Sequence, residues 1–280
     1  MRETLKAKLT ALGVDPDSLK ICDTHAHVYP SVPGEHNPAS LAAYLANTRV
    51  LGVKRHVVLQ AKAHVEDSRC TPDAVATIGL EFARGVVWED PRWTAKDIIR
   101  LHELGIRGVR VLYSPGIYPN TKGLLTTSQK IAPFGWHLLV QAEADVWPMA
   151  VDALNALPCP VVIDHMGRLP VDFDTKFPPF LALQRFVRAG GWIKLSAPYY
   201  ATRSKEATFS PLRSRVRALL DAGWERAIWA TNWPHVNLSK HEQPDDGTTL
   251  ESLVDLFTSA YEARAVLAEN AQQLYGFTEH

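Results

Sequence analysis

The chain of 280 residues carries 30 basic and 30 acidic side chains, a formal balance of zero, and so offers no bulk electrostatic attraction to nucleic acid or to a membrane surface. A small neutral substrate or a modest anion suits it better. With 46% hydrophobic residues the chain can bury one large core, and no composition break asks for a second domain, so residues 1–280 are read as a single domain.

The opening run MRETLKAKLTALGV carries charges throughout and places Leu5, Leu9 and Leu12 on one helical face. That pattern predicts a short amphipathic helix within an N-terminal extension, residues 1–19, rather than a signal h-region or a membrane span. Cys22, Cys70 and Cys159 are odd in number, widely spaced and free of any CxxC pairing. Neither a disulfide framework nor a thiolate zinc site is expected, and a reducing, cytoplasmic address is.

From there, short β-rich runs alternate with longer helical stretches. LKICDTH, RHVVLQ, ARGVVW, IRGVRVLY, WHLLVQAE, PVVIDH, GWIKLS and RAIWATN read as strands. PASLAAYLANTRVLGV, TAKDIIRLHELG, MAVDALNALP, FLALQRFVRAG and PLRSRVRALLDAG read as helices, several of them closing on glycine. Eight βα units predict an α/β fold of the (β/α)8 TIM-barrel type. A doubly wound open sheet is the alternative, but no G-x-G-x-x-G follows the first strand.

In such barrels chemistry lies where strands end. Alternation along CDTHAHVYP puts Asp23, His25 and His27 on one side, and predicts that they converge. Arg110 and Tyr113 end the fourth strand, Gln141 and Glu143 the fifth, His165 and Arg168 the sixth, Lys194 and Ser196 the seventh, Asn232 and His235 the eighth. A lone strand-end histidine such as His165 or His235 is more often a hydrogen-bonded structural residue, whereas the H-x-H pair on the first strand points to function. Lys194 reads equally as an inward lysine neutralised by Glu143 or Asp164, and a buried Arg110 would have to be paired or ligand-facing.

Taken in order, DTHAH, VIDHMGR, IKLSAPYY and ATNWPH resemble the amidohydrolase superfamily. Within it they resemble the branch of 2-pyrone-4,6-dicarboxylate lactonase and related sugar and muconolactone lactonases, from about residue 20 to the end of the chain. The resemblance implies a distorted barrel with a mononuclear or metal-free site, in which His25, His27 and His165 gather at the substrate carbonyl. The fourth strand holds no lysine to be carbamylated, which disfavours two metals.

Two departures from that pattern shape the expectation. Where the family usually has an aspartate on the eighth strand, this chain has Asn232, which cannot take a proton as a carboxylate does. Arg110 and Arg168 match two of the family's carboxylate-gripping arginines, but YSPGIYPN follows the fourth strand without another, and Tyr199 and Tyr200 stand where arginine is frequent. A substrate with one carboxylate or none, and an aromatic or apolar body, is therefore expected.

The reading is a lactone or activated-ester hydrolase. Its expected catalytic residues are His25, His27, His165 and Asn232, with Arg110, Arg168, Tyr113, Gln141, Lys194, Tyr199 and His235 around a small-molecule substrate. No cofactor is required on this reading. The alternatives are a Zn²⁺-dependent hydrolase or decarboxylase using His25, His27 and His165, and a weakened small-molecule binding barrel. Homo-oligomerisation is left open.

Overall fold

The computed structural model describes residues 1–30, 37–64, 69–113, 120–170, 176–202 and 208–278. Eight strands, β1 (Ile21–Ala26), β2 (Val53–Leu59), β3 (Ala83–Trp88), β4 (Ile106–Leu112), β5 (His137–Gln141), β6 (Val161–Ile163), β7 (Trp192–Leu195) and β8 (Ala227–Trp229), pair in parallel and in chain order. Parallel neighbours cannot be joined by a tight hairpin, so helices carry the crossovers. After α1 (Glu3–Ala11), the helices α2 (Leu41–Leu51), α3 (Cys70–Ile78), α4 (Ala95–Glu103), α5 (Thr121–Ile131), α6 (Trp147–Asn155), α7 (Pro178–Arg188) and α8 (Arg213–Gly223) fall one between each pair of successive strands or just before β8. Past β8 come α9 (Asp246–Val254), α10 (Ala260–Arg264) and α11 (Asn270–Tyr275). This is the TIM-barrel order predicted from the alternating patterns.

Local signals set the helix ends. Ser40 Oγ accepts from the Ala43 N–H at the start of α2, and Gly52 takes the left-handed conformation that ends it. A reciprocal Thr94–Asp97 capping box opens α4. The predicted first helix buries Leu5 and Leu9, while Leu12 is left partly exposed as its C-cap. Arg2 pairs with Asp245 at 2.5 Å and Lys8 with Asp255, which fastens the helix beside α9.

Inward side chains Cys22, Val57, Leu59, Val86, Leu139 and Trp192 form a cluster with Leu274 and Tyr275 of α11. At the starts of β2 and β3, Arg55 donates to the Thr278 carbonyl at 3.0 Å, and Arg84 to those of Tyr275 at 3.1 Å and Gly276 at 2.8 Å. The C-terminal segment thus plugs the amino end of the barrel and leaves the carboxyl end for ligands.

The β8–β1 seam is not a regular ladder. Its one isolated bridge joins Ala26 to Trp233. Asn232 N–H donates to the His25 carbonyl at 3.1 Å, His27 N–H to that of Trp233 at 2.8 Å, and Thr24 Oγ1 to that of Trp229 at 2.7 Å. Closure of the barrel therefore brings Asn232 beside the two first-strand histidines. Among the described residues no helix is long and apolar enough to cross a membrane.

Candidate functional site

The carboxyl ends of β6, β7 and β8 hold all the non-glycine residues of left-handed backbone among the described ones: His165, Met166, Arg168, Ala197, Asn232 and His235, with φ from 48 to 69°. Such conformations are costly for most residues and gather where the surroundings fix a side chain's direction. Here they turn His165, Arg168, Asn232 and His235 off their strand directions.

Three histidines meet in the middle. The ring centroid of His25 lies 4.9 Å from that of His27 and 4.8 Å from that of His165. His25 Nε2 faces His27 Nε2 at 3.2 Å, and His25 Nδ1 lies 3.3 Å from Oδ1 of Asp164. His27 Nδ1 donates to the Leu59 carbonyl at 2.9 Å, which leaves its Nε2 an acceptor. His165 has Ser196 Oγ at 2.8 Å from Nδ1 and Asp164 Oδ2 at 3.3 Å from Nε2. That second approach is off line for a hydrogen bond, and among the described residues Oδ2 has no other donor.

Lys194 is fully buried beneath this group. Its ammonium donates to the Thr24 carbonyl at 3.0 Å and lies 3.7 Å from Asp164. Of its two expected carboxylate partners the structure selects Asp164, because Glu143 is taken by Arg168. The placement makes Lys194 a support for Asp164.

Burial sets the charge states. It holds His25 well below its ordinary range. It pushes His27 down to about 3, helped by the Arg110 charge, and His165 down to about 4 against the opposing pull of Asp164. Burial raises the Asp164 carboxyl, but His165, His25 and Lys194 more than offset it and hold it well below the usual carboxylate range. Lys194 is pushed down to about 8 by burial, with Asp164 opposing. At neutral pH the site thus holds three uncharged imidazoles around an ionised carboxylate.

Arg110 enters from β4. It is 7% exposed, lies over the Trp88 ring at 5.0 Å and donates through Nη2 to Gln141 Oε1 at 2.9 Å. Its Nη1 reaches His27 Nε2 at 3.4 Å, and its buried Nε has no partner among the described residues. Arg168 behaves differently, donating from Nε to Glu143 Oε1 at 2.9 Å and lying 4.4 Å over the Tyr200 ring. Tyr200 in turn meets His165 edge-on at 5.4 Å. Glu143, Arg168 and Tyr200, with Phe177 among others, line a cavity of about 540 Å³. A larger cavity, about 690 Å³, lies between α1 and α2, and neither cavity is lined by the clustered histidines.

Tyr199 and His235 join the eighth-strand end. Asn232 Nδ2 donates to the Tyr199 hydroxyl at 2.6 Å, and that hydroxyl lies 3.2 Å from His235 Nδ1.

Two expected residues stand elsewhere. The β1–β2 register shifts between Asp23 and Ala26, which breaks the alternation meant to align Asp23 with His25 and His27. Asp23 instead accepts from the Thr231 backbone at 3.0 Å, the Thr231 hydroxyl at 2.7 Å and the Tyr44 hydroxyl of α2 at 3.0 Å, and pins the seam. Tyr113 is three residues past inward Arg110, hence on the opposite face, and packs against the outer core. Burial and the neighbouring Glu89 push its hydroxyl up to about 12. Most of the segment YSPGIYPN, residues 114–119, lies outside the described residues.

Asp164, Ser196 and Tyr200 complete the site without having stood among the expected site residues. The clue to Asp164 was its place two residues after inward Val162, directly before His165.

The chain matches the model of the amidohydrolase family over residues 22–277. It is 30% identical over 275 residues to a 2-pyrone-4,6-dicarboxylate hydrolase of Comamonas testosteroni, covering 90% of this chain and 89% of that one. To a D-galactarolactone isomerase of Agrobacterium fabrum it is 27% identical over 264 residues, covering 90% of each chain. Among solved structures it is similar to one described as a 2-pyrone-4,6-dicarboxylic acid hydrolase of Pseudomonas putida, with a TM-score of 0.80 at 28% identity over 94% of this chain and 99% of that one.

Proposed function

The chain belongs to the amidohydrolase family, and from that premise we propose that it hydrolyses a lactone or similarly activated ester of a small aromatic- or sugar-derived substrate bearing one carboxylate. The observation that carries this reading is a cluster of uncharged imidazoles, His25, His27 and His165, backed by Asp164 and set beside the buried Arg110. Relatives named for a pyrone hydrolase and a lactone isomerase support a lactone carbonyl as the common target.

The proton-handling roles follow from the hydrogen bonds. A carboxylate only accepts, so His25 carries its proton on Nδ1 toward Asp164 and turns a bare Nε2 toward the bare Nε2 of His27 at 3.2 Å, two lone pairs that call for a shared proton donor between them, the place taken by the attacking water. His25 takes the proton of the attacking water, Asp164 stabilises the imidazolium as it forms, and the proton returns to the ring oxygen as the lactone opens. Asn232 holds the water or the developing oxyanion. Arg110, which among the described residues has no carboxylate partner, takes the substrate carboxylate, with Gln141 holding its fork. His165 stands beside Asp164 and meets the Tyr200 ring edge-on.

A zinc ion is the alternative cofactor, and the donor chemistry would suit it. His25 and His27 would hold it through their facing Nε2 atoms, with Asp164 and His165 close by, and it would supply a bound water ionising near pH ~7. Charge balance opposes this, since Arg110 and Lys194 already outnumber Asp164 around the rings and Asn232 adds no compensating carboxylate. We therefore take the reaction to need no metal.

The test is a pH-stat assay of the purified chain with small lactones. Hydrolysis at neutral pH releases one proton per turnover, whereas lactone isomerisation or simple binding releases none and decarboxylation yields CO₂.

A further inference from the structure

Asn232 is the first of four buried polar groups that lead away from the histidines. Beyond its 2.6 Å bond to Tyr199, and the 3.2 Å step from that hydroxyl to His235 Nδ1, His235 Nε2 lies 3.3 Å from Oδ1 of Asp246, the first residue of α9. All four side chains are buried. The His235–Asp246 approach is off line for a hydrogen bond, yet neither atom has another partner among the described residues, so burial makes each the other's counter-group. Asp246 is itself held, its Oδ2 accepting from Asn47 Nδ2 at 2.7 Å.

The far end of this chain dictates the direction of every bond in it. A carboxylate cannot donate, so His235 places its proton on Nε2 and leaves Nδ1 a lone pair. The single proton of Tyr199 has that lone pair to go to, with the Tyr200 hydroxyl as the competing acceptor, and in either case is directed away from Asn232. The phenol oxygen can then only accept, and Asn232 must meet it with its NH₂ group. The amide oxygen of Asn232 is turned the other way, and no protein group donates to it among the described residues.

We propose that Asp246, His235 and Tyr199 are positioning residues that fix the Asn232 amide with its oxygen toward the substrate, so that Asn232 accepts a hydrogen bond from the attacking water and does not donate to the oxyanion. The catalytic part of this inference rests on the hydrolase reading above; the bond directions do not. A consequence concerns Asn232→Asp. A carboxylate there faces a phenol oxygen whose proton is already committed, two acceptors at the distance of a short hydrogen bond. Without taking up a proton, the chain relaxes only if His235 moves its proton to Nδ1, which turns a bare Nε2 against Asp246. Asp246→Asn removes that conflict, because an amide can donate to Nε2.

Two experiments test this. Neutron diffraction on D₂O-exchanged crystals of the full chain should show deuterium on His235 Nε2 and none on Nδ1, the Tyr199 deuterium aimed away from Asn232, and two deuteriums on the Asn232 atom facing Tyr199. Deuterium on His235 Nδ1, or the Tyr199 deuterium aimed at Asn232, overturns the proposal whatever the enzyme's substrate. With a lactone that the wild type turns over, the displaced side chain of Asn232→Asp should cost ~10²-fold in kcat, and Asn232→Asp/Asp246→Asn should recover ~10-fold of it with KM within ~3-fold. Additive losses overturn the positioning role. Should the Asp246 variant fail to fold, Tyr199→Phe in the Asn232→Asp background replaces it, since removing the hydroxyl removes the opposed acceptor and predicts the same direction of recovery. If no lactone is hydrolysed, the hydrolase reading falls, and the neutron map still decides the bond directions.

Discussion

Arg168 and Glu143 neutralise one another, with Nε donating to Oε1 at 2.9 Å and the guanidinium laid over Tyr200. Arg110 has no such carboxylate among the described residues. Of the two arginines at the mouth of the site, one is therefore free to meet an anionic substrate group. Releasing the other should widen the choice of substrate: Glu143→Gln is expected to raise kcat/KM for a dicarboxylated lactone relative to its monocarboxylated analogue by ~10-fold, the worth of one added charge-assisted contact. A ratio unchanged by the substitution would place the selection elsewhere.

The charge states predict an unusual pH profile. A freely solvated histidine base would lose its activity on the acid side near ~6.5. Here burial keeps His25 well below its ordinary range and His165 at about 4, so kcat/KM should stay level well below neutrality. On the alkaline side Lys194, pushed down to about 8, loses the charge that balances Asp164, and the rate should fall there. An acid limb near the ordinary histidine value would show that the base is a solvated group.

Stability should follow the opposite limb. His27 and His137 are pushed down by burial to about 3, and His56 and His165 to about 4. A base whose folded value is depressed contributes stability above its unfolded value, near ~6.5, and loses it as pH falls toward the folded one. At pH ~5 the unfolded chain takes up protons that the folded one refuses, at up to about 2 kcal/mol for each histidine. Asp23, raised by burial to about 6, works the other way, stabilising at low pH and losing that contribution as pH rises through its folded value. Four groups outweigh one, so the melting temperature should drop between pH ~7 and ~5. A flat calorimetric profile over that interval would contradict the buried, neutral histidines.

Metal removal is expected to leave the rate intact. Exhaustive dialysis against a chelator, followed by metal analysis and assay, should give activity within ~2-fold of the untreated enzyme if Arg110 and Lys194 already supply the positive charge of the site. Loss of activity with recovery on adding Zn²⁺ would assign the facing His25 and His27 nitrogens to a metal.

The barrel was legible in the sequence because eight parallel strands, each buried on both faces, read as short apolar runs between helical stretches. The polar residues that close those runs, His25, His27, Arg110, Gln141, His165 and Asn232, were legible for the same reason. Asp23 was misplaced because strict alternation assumes an unbroken register, and β1 shifts between Asp23 and Ala26. Tyr113 could have been assigned outward from its odd spacing to Arg110. The pairing of His235 with Asp246 was not readable, since an irregular connection separates them and no periodicity carries across it. Nor could the sequence reveal that Glu143 answers Arg168 while Asp164 answers Lys194, a choice made only when the strand ends are brought together.

On the proposed function, this site opens a lactone carrying a single carboxylate. A matched series of one lactone ring bearing none, one or two carboxylates, followed by acid release in a pH-stat, tests it most directly. The account predicts one proton released per ring consumed, with kcat/KM highest for the monocarboxylate by ~10-fold or more over either neighbour in the series. Ring conversion without proton release, or a clear preference for the dicarboxylate, would contradict it.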